Sequence, residues 1–282
     1  MKKIGFIDYY LDCWHPHNFV ENVKKYNAEH GTDYTVTLAW AESDSPSGKT
    51  TDAWCAEHGV KRARSIEEVC TSCDFVAIFS PDNPEKHLGY AREVFKYGKP
   101  TFIDKTFSAR YDDALEMFRI SEELGTPFFS CSSLRYEESL SPFKGCASAI
   151  TVLGGGGVGH LFDDYLVHHL EMVMHCFGTG AQRVHYEKNA DQELVRVEFT
   201  GGRVANVIFA PCLNFAAIVA DESGTSHYLP ATSDFFYGQI SEVLAFFAGE
   251  PLSFDTMQTL ELAKIKAAAF RSRDEGVEWV DL

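Results

Sequence analysis

Lys3-Ile4-Gly5-Phe6-Ile7-Asp8 leads through Tyr9-Tyr10-Leu11-Asp12-Cys13 into the stretch His17 to His30, which Gly31 closes. The apolar hexamer reads as a buried strand, and the spacing of Phe19, Val20, Val23 and Tyr26 puts them on one face of a helix. Thr35 to Ala41 is a second strand, and Thr51 to His58 is a helix ended by Gly59. Ser65-Ile66-Glu67-Glu68 has the form of a capping box opening a short helix. Asp74 to Ser80, Pro100 to Asp104 and Pro127 to Ser130 read as further strands, separated by helices over Glu85 to Tyr97 and Tyr111 to Leu124. Strand and helix alternating at short spacing predict a Rossmann-type, doubly wound parallel α/β sheet over residues 1–130. Such sheets hold ligands at the carboxyl ends of their strands.

The turn after the first strand is where a dinucleotide-binding domain carries Gly-x-Gly-x-x-Gly, so that bare backbone approaches the pyrophosphate at a helix N-terminus. Asp8, Tyr10 and Cys13 stand at those three positions. Side chains fill the space the phosphates need, and the carboxylates of Asp8 and Asp12 repel them. Gly154-Gly155-Gly156-Gly157 supplies no substitute, since no Lys-Ser/Thr follows and it does not join a first strand to its helix.

The pattern changes after about Ser133. A strand over Ala147 to Val152 precedes a helix over Asp163 to Phe177, and strands follow at Gln182–Glu187, Glu193–Thr200, Arg203–Ala210, Ala216–Asp221 and His227–Leu229. Gly201-Gly202 and Glu222-Ser223-Gly224 are hairpin turns. Helices over Phe236 to Ala248 and Asp255 to Ser272 complete a predicted α+β domain, residues 131–282, with a mainly antiparallel open sheet. The open face of that sheet, with apolar strands such as Val204 to Phe209, predicts a homo-oligomer.

The chain has 282 residues, 45% of them apolar and 23% charged, as in an ordinary globular protein of two domains. A formal net charge of −16 excludes nucleic acid and an anionic membrane surface as partners. The start, Met1-Lys2-Lys3-Ile4-Gly5, lacks the form of a secretory signal, and no apolar run is long enough to span a bilayer, so the expected compartment is the cytoplasm. Eight scattered cysteines fit a reducing compartment. Cys70-Thr71-Ser72-Cys73 has redox or zinc spacing but no second pair to complete it.

Lys105 follows a parallel strand directly, which puts its ammonium where a substrate hydroxyl or a changing charge can be met; a plain surface lysine is the alternative. Asp164 and His168 are four apart on a helix, so a carboxylate lies beside an imidazole suited to act as general base, although such pairs are often structural. Glu171 and His175 continue that face and open a metal-site reading of the four side chains. His169 points elsewhere and reads as solvated or packed.

Ser80-Pro81, His87, Gly98-Lys99 and Asp104-Lys105 together resemble the Thr-Pro…His…Gly-Lys…Glu-Lys-Pro run of the glucose–fructose oxidoreductase / inositol dehydrogenase / MocA family. Ser133-Leu134-Arg135-Tyr136 resembles that family's Asn-Arg-Arg-Phe step, and Asp164-Tyr165-Leu166-Val167-His168 through Glu171 its Asp-x-Gly-x-His-x-x-Asp helix. Asp104 stands where the family has Glu, and Thr106 where it has Pro.

The resemblance implies an oxidoreductase using NAD or NADP on a sugar, polyol or related hydroxy/oxo compound. It implies Lys105 on the reacting hydroxyl and the cofactor ribose, His168 as proton acceptor and Asp164 as substrate holder. It puts Asp8, Tyr10, Glu42, Ser80, Pro81, His87, Asp104 and Lys105 on the cofactor side, and Arg135 and Tyr136 beside the substrate. A non-catalytic ligand-binding or sensor protein on the same fold is the rival reading. A metal-assisted hydrolase, lyase or isomerase is the third.

Overall fold

The computed structural model describes residues 1–155 and 161–282. Gly156 and Gly157 of the glycine run lie outside the described residues. The chain forms two compact units, Met1–Cys131 with Ile240–Ser253, and Ser132–Gln239 with Phe254–Leu282. Among the described residues no helix is long and apolar enough to cross a membrane.

The first unit is built on β1 (Lys2–Asp8), β2 (Tyr34–Ala41), β3 (Lys61–Arg62), β4 (Phe75–Ile78), β5 (Thr101–Ile103) and β6 (Phe128–Ser130), paired in parallel in the order β3-β2-β1-β4-β5-β6. Helices α1 (Trp14–His30), α2 (Thr51–His58), α3 (Ile66–Ser72), α4 (His87–Val94) and α5 (Tyr111–Leu124) connect them. β1 sits inside the sheet because Ile4, Phe6 and Ile7 bury both its faces, and Phe6 meets Phe19 and Phe79 edge-on. Gly5 lets α3 approach: a Cβ there would stand 2.3 Å from Val69 Cγ1. The Ser65 hydroxyl accepts the Glu68 amide at 3.1 Å, the cap expected from the sequence. The helix expected over 85–97 is α4 flanked by 3-10 turns at Pro84–Lys86 and Phe95–Tyr97.

Residues 240–253, which the sequence places in the second domain, cluster with this sheet. The Tyr34 hydroxyl donates to Leu244 O at 2.9 Å, Phe247 stacks on Phe75 at 4.7 Å, and Phe246 meets Phe129 at 4.9 Å. The two-residue β3 carries no apolar pattern, since both its residues are exposed.

The second unit holds β7 (Ala149–Gly154), β8 (Ala181–Asn189), β9 (Gln192–Phe199), β10 (Val204–Phe209), β11 (Ala216–Ala220), β12 (Ser226–Pro230) and β13 (Val280–Asp281), in the order β12-β11-β7-β10-β9-β8-β13. β7 and β10 pair in parallel and the other pairs are antiparallel, so the sheet is mixed but mainly antiparallel. α6 (Phe162–Phe177) and α8 (Met257–Glu275) belong to this unit, while α7 (Phe235–Phe247) starts in it and ends in the first. Along β10, Ala205, Val207 and Phe209 are buried, whereas Val204, Asn206 and Ile208 on the other face are half-buried. One face of the sheet is the core, and the other is open.

Candidate functional site

The strand ends of the first unit carry buried carboxylates. Asp8 closes β1 with 1% exposure; it accepts the Tyr9 amide at 2.7 Å and the Ser80 hydroxyl at 3.3 Å. Burial pushes its carboxyl well above the usual range; Asp104 adds to this, and the Tyr9 amide and Ser80 hydroxyl oppose it. Ser80, at φ 88°, holds a backbone conformation rare for a residue with a side chain, and its Oγ also accepts the Tyr9 amide at 2.9 Å. Asp104, just past β5, accepts the Lys105 amide at 2.8 Å and is hydrogen-bonded to His15 Nδ1. Burial, then the charges of Asp8 and Asp104, pushes the Cys13 thiol far up, which disfavours its thiolate.

The turn between β1 and α1 is closed by its own side chains. Its Tyr9 amide goes to Asp8 and Ser80, its Cys13 amide to Leu11 O at 2.8 Å, and Pro16 brings no amide to the first turn of α1. Asp12 accepts the Lys49 amide at 2.6 Å and is 2.8 Å from His17 Nε2. A Cβ at Gly48 would lie 2.0 Å from Asp12 Oδ2, so the loop after β2 is pressed against the turn. The Tyr10 hydroxyl donates to Asp82 at 2.8 Å. Glu42, expected on the cofactor side, pairs with Lys86 at 2.6 Å and accepts the Tyr90 hydroxyl at 2.7 Å; these two hold it below the usual carboxylate range. The Tyr9 and Cys13 amides already serve the chain's own oxygens and side chains fill the turn, which tells against a pyrophosphate bound there through bare backbone.

The end of β5 differs. Lys105 is half-buried, and among the described residues its ammonium makes no hydrogen bond or ion pair. Ser80-Pro81 and Asp104-Lys105 stand together by topology, because β4 and β5 are neighbours in the sheet. His87 is fully buried, with Nε2 2.6 Å from Phe79 O and Nδ1 3.0 Å from Phe107 O. It ties the segment after β5 to the end of β4, and burial lowers its pKa. Both of its ring nitrogens thus lie against backbone carbonyls.

In the second unit α6 carries Asp164, exposed, and His168, half-buried. Helical spacing puts them on one face; His168 Nδ1 is held at 2.5 Å by the Ser132 hydroxyl. The Ser132 amide donates to Glu171 Oε1 at 2.9 Å, and Glu171 Oε2 accepts Arg135 Nε at 2.6 Å. Arg135 Nη1 donates to Gln258 at 2.7 Å, and the guanidinium lies 4.0 Å over the Phe254 ring. Burial raises the Glu171 pKa against the pull of Arg135.

Arg135 is 2% exposed, in a buried ion pair with Glu171, which also holds the Ser132 amide. Tyr136 is half-buried against Gly238, where a Cβ would stand 2.8 Å from the Tyr136 Cβ. His169 is packed: it is fully buried, with Nδ1 3.0 Å from Tyr165 O. With Glu171 engaged, the four-residue metal face does not gather, and among the described residues it brings no three ligand atoms together. Cys70 and Cys73 are buried thiols. Ser132 was not legible as a site residue because no motif marks it; the fold brings it to a histidine 36 positions away.

No protein-family profile matches the chain, and no curated protein matches it in sequence. In structure it is similar to an oxidoreductase from Thermotoga maritima (15% identity, TM-score 0.77, covering 100% of this chain and 98% of the other). GenD2 from gentamicin A biosynthesis, in complex with NAD, is similar at 15% identity and TM-score 0.76, covering 100% and 97%. UDP-N-acetylglucosamine 3-dehydrogenase GnnA from Acidithiobacillus ferrooxidans is similar at 14% identity and TM-score 0.71, covering 95% and 98%. The chain has the two-domain fold of these dehydrogenases. The likeness runs nearly the whole length of each chain.

Proposed function

We propose that the protein is an NAD(P)-dependent oxidoreductase, of the glucose–fructose oxidoreductase / inositol dehydrogenase / MocA kind, acting on a sugar, polyol or related hydroxy/oxo compound. The observation that carries the reading is Lys105, half-buried and uncommitted at the carboxyl end of β5, in a fold shared end to end with dehydrogenases. One of those is described in complex with NAD and another is named for a nucleotide sugar, which supports the cofactor and substrate class. A bound nicotinamide would supply the hydride acceptor or donor. Pro81 and Lys105, half-buried at the ends of β4 and β5, would meet its nucleotide there, with the buried Ser80 and Asp104 fixing those strand ends through the Tyr9 and Lys105 amides.

The Lys105 ammonium donates to the substrate oxygen and stabilises negative charge as it develops there. His168, with Nδ1 fixed by Ser132, takes or returns the hydroxyl proton, an imidazole's task near neutral pH. Asp164 accepts from a further substrate hydroxyl. Homo-oligomerisation through the open sheet face and a cytoplasmic setting, where the free thiols stay reduced, complete the proposal.

Titration of the purified protein with NADH and NADPH tests it, followed by turnover on a sugar and polyol panel. We expect saturable nucleotide binding, and a loss of turnover of about 10²–10³ in Lys105→Met at unchanged melting temperature. Absence of binding by either nucleotide at millimolar concentration removes the reading. The filled β1 turn favours a second reading, a non-catalytic sugar-binding protein. In that case sugars raise the melting temperature with no nucleotide present.

A further inference from the structure

At the start of α1 and the end of α2 two imidazoles face each other, with His17 Nδ1 and His58 Nε2 2.7 Å apart. A carboxylate oxygen of Glu57 completes a group of three ligand atoms within 4.8 Å of one another. The far nitrogen of His17, Nε2, is bonded to Asp12 Oδ1 at 2.8 Å, and the other Asp12 oxygen is pinned by the Lys49 amide at 2.6 Å. Partial burial opposes the charge on Asp12, but the Lys49 amide and His17 hold its pKa below the usual range.

These contacts fix the protons. A carboxylate accepts, so His17 carries its proton on Nε2 and presents a lone pair at Nδ1. The proton between the rings then belongs to His58 Nε2, and it occupies the place a cation would take. Trp54 is fully buried, 4.4 Å from the His58 ring and 5.8 Å from that of His17, which limits how either ring can turn.

We infer that His17 Nδ1, His58 Nε2 and a Glu57 carboxylate oxygen form a binding site for a divalent transition metal of the zinc class, with Asp12 orienting His17. Histidines that ligate metals commonly carry a carboxylate on the distal nitrogen, which fixes the tautomer and the ring's orientation. Two imidazole nitrogens bound tetrahedrally to zinc stand about 3.3 Å apart, so the rings need part by only about 0.6 Å. Two nitrogens and one oxygen favour zinc, cobalt or nickel over magnesium or calcium. Glu57 now pairs with the Lys49 ammonium, an exposed contact that a dication would displace. Water would fill the fourth position. Occupancy would clamp α1 to α2 and stiffen the Asp12–Lys49 bracket that closes the β1 turn. The inference is independent of the proposed activity.

Chelator-treated full-length protein is titrated with zinc chloride by calorimetry, and with cobalt(II) by visible absorption. We expect one zinc per chain, a higher melting temperature with zinc, and the cobalt bands of a four-coordinate nitrogen/oxygen site. His58→Gln should lower zinc affinity more than about 100-fold and Asp12→Asn by about 10–100-fold. Glu57→Gln changes only an exposed carboxylate; it should weaken binding while the metal-free melting temperature stays put. No zinc binding by the wild type overturns the inference, as does undiminished binding in His58→Gln. Thiolate-to-cobalt absorption would overturn it too, assigning the metal to cysteines such as the exposed Cys146 and Cys212.

Discussion

Asp8 and Glu171 are both carboxylates with 1% exposure, one in each unit, and burial raises the pKa of both. Glu171 meets the guanidinium of Arg135, while Asp8 meets an amide, a hydroxyl and the field of a second carboxylate, Asp104. The first is a strut, whose charge is matched by a cation and which holds Ser132 against His168. The second is a carboxyl group met by an amide and a hydroxyl, with no ion pair to a cation among the described residues. Two buried acids thus do opposite things: one organises a candidate base, and the other takes the Tyr9 amide at the start of the turn.

The sharpest way to break the comparison is to remove the cation. Arg135→Ala leaves Glu171 buried and uncompensated and should cost about 3–5 kcal/mol in urea unfolding. Adding Glu171→Leu should restore much of that loss; if Arg135→Ala costs nothing measurable, Glu171 is no strut.

Acid comes next. Burial lowers the pKa of His169 and His175 to about 4, so both stay neutral in the fold while an unfolded chain protonates near 6.5. Stability is present above 6.5 and is lost as pH falls toward 4, by up to about 3 kcal/mol per histidine. His175→Gln should flatten the melting temperature over that window.

Asp8 has the reverse sign. Its folded pKa is raised, so its contribution is complete below the unfolded value of 3.8 and is lost as pH rises through the folded one. Asp8→Asn should therefore melt higher than wild type at pH 7 and about equally at pH 3.5, measured by calorimetry. A variant that melts lower at pH 7 would show that Asp8 has a cation partner after all. The smallest effect belongs to the Lys86–Glu42 pair, with side chains 32% and 39% exposed. Lys86→Met should change stability by less than about 1 kcal/mol.

Local chemistry made much of the fold legible. Ser65 caps α3, Gly31, Gly59 and Gly125 end helices at positive φ, and the strand ends carrying Asp8, Ser80 and Lys105 fall where the alternation puts them. Contacts between distant segments were not legible. β3 exists because Leu38 and Ala39 offer it an edge, and no property of Lys61-Arg62 announces that. The spacing of Asp164 and His168 is right for one helix face, but a serine 36 residues upstream takes the imidazole nitrogen. The family resemblance put Arg135 beside the substrate, and helical spacing with Asp164, His168 and His175 put its partner Glu171 in a metal reading. Each was legible as a charge, and neither as half of a pair.

The return of residues 240–253 to the first sheet bears on how the chain is made. Ring faces of Phe75 and Phe129 and the hydroxyl of Tyr34 wait for Phe247, Phe246 and Leu244, which emerge only after residues 132–239 have been added. At ordinary translation rates that interval is about 5–20 s. The N-terminal half therefore leaves the ribosome as an unfinished layer with aromatic surface showing. A fragment ending at Cys131 would be born in that state and never leave it.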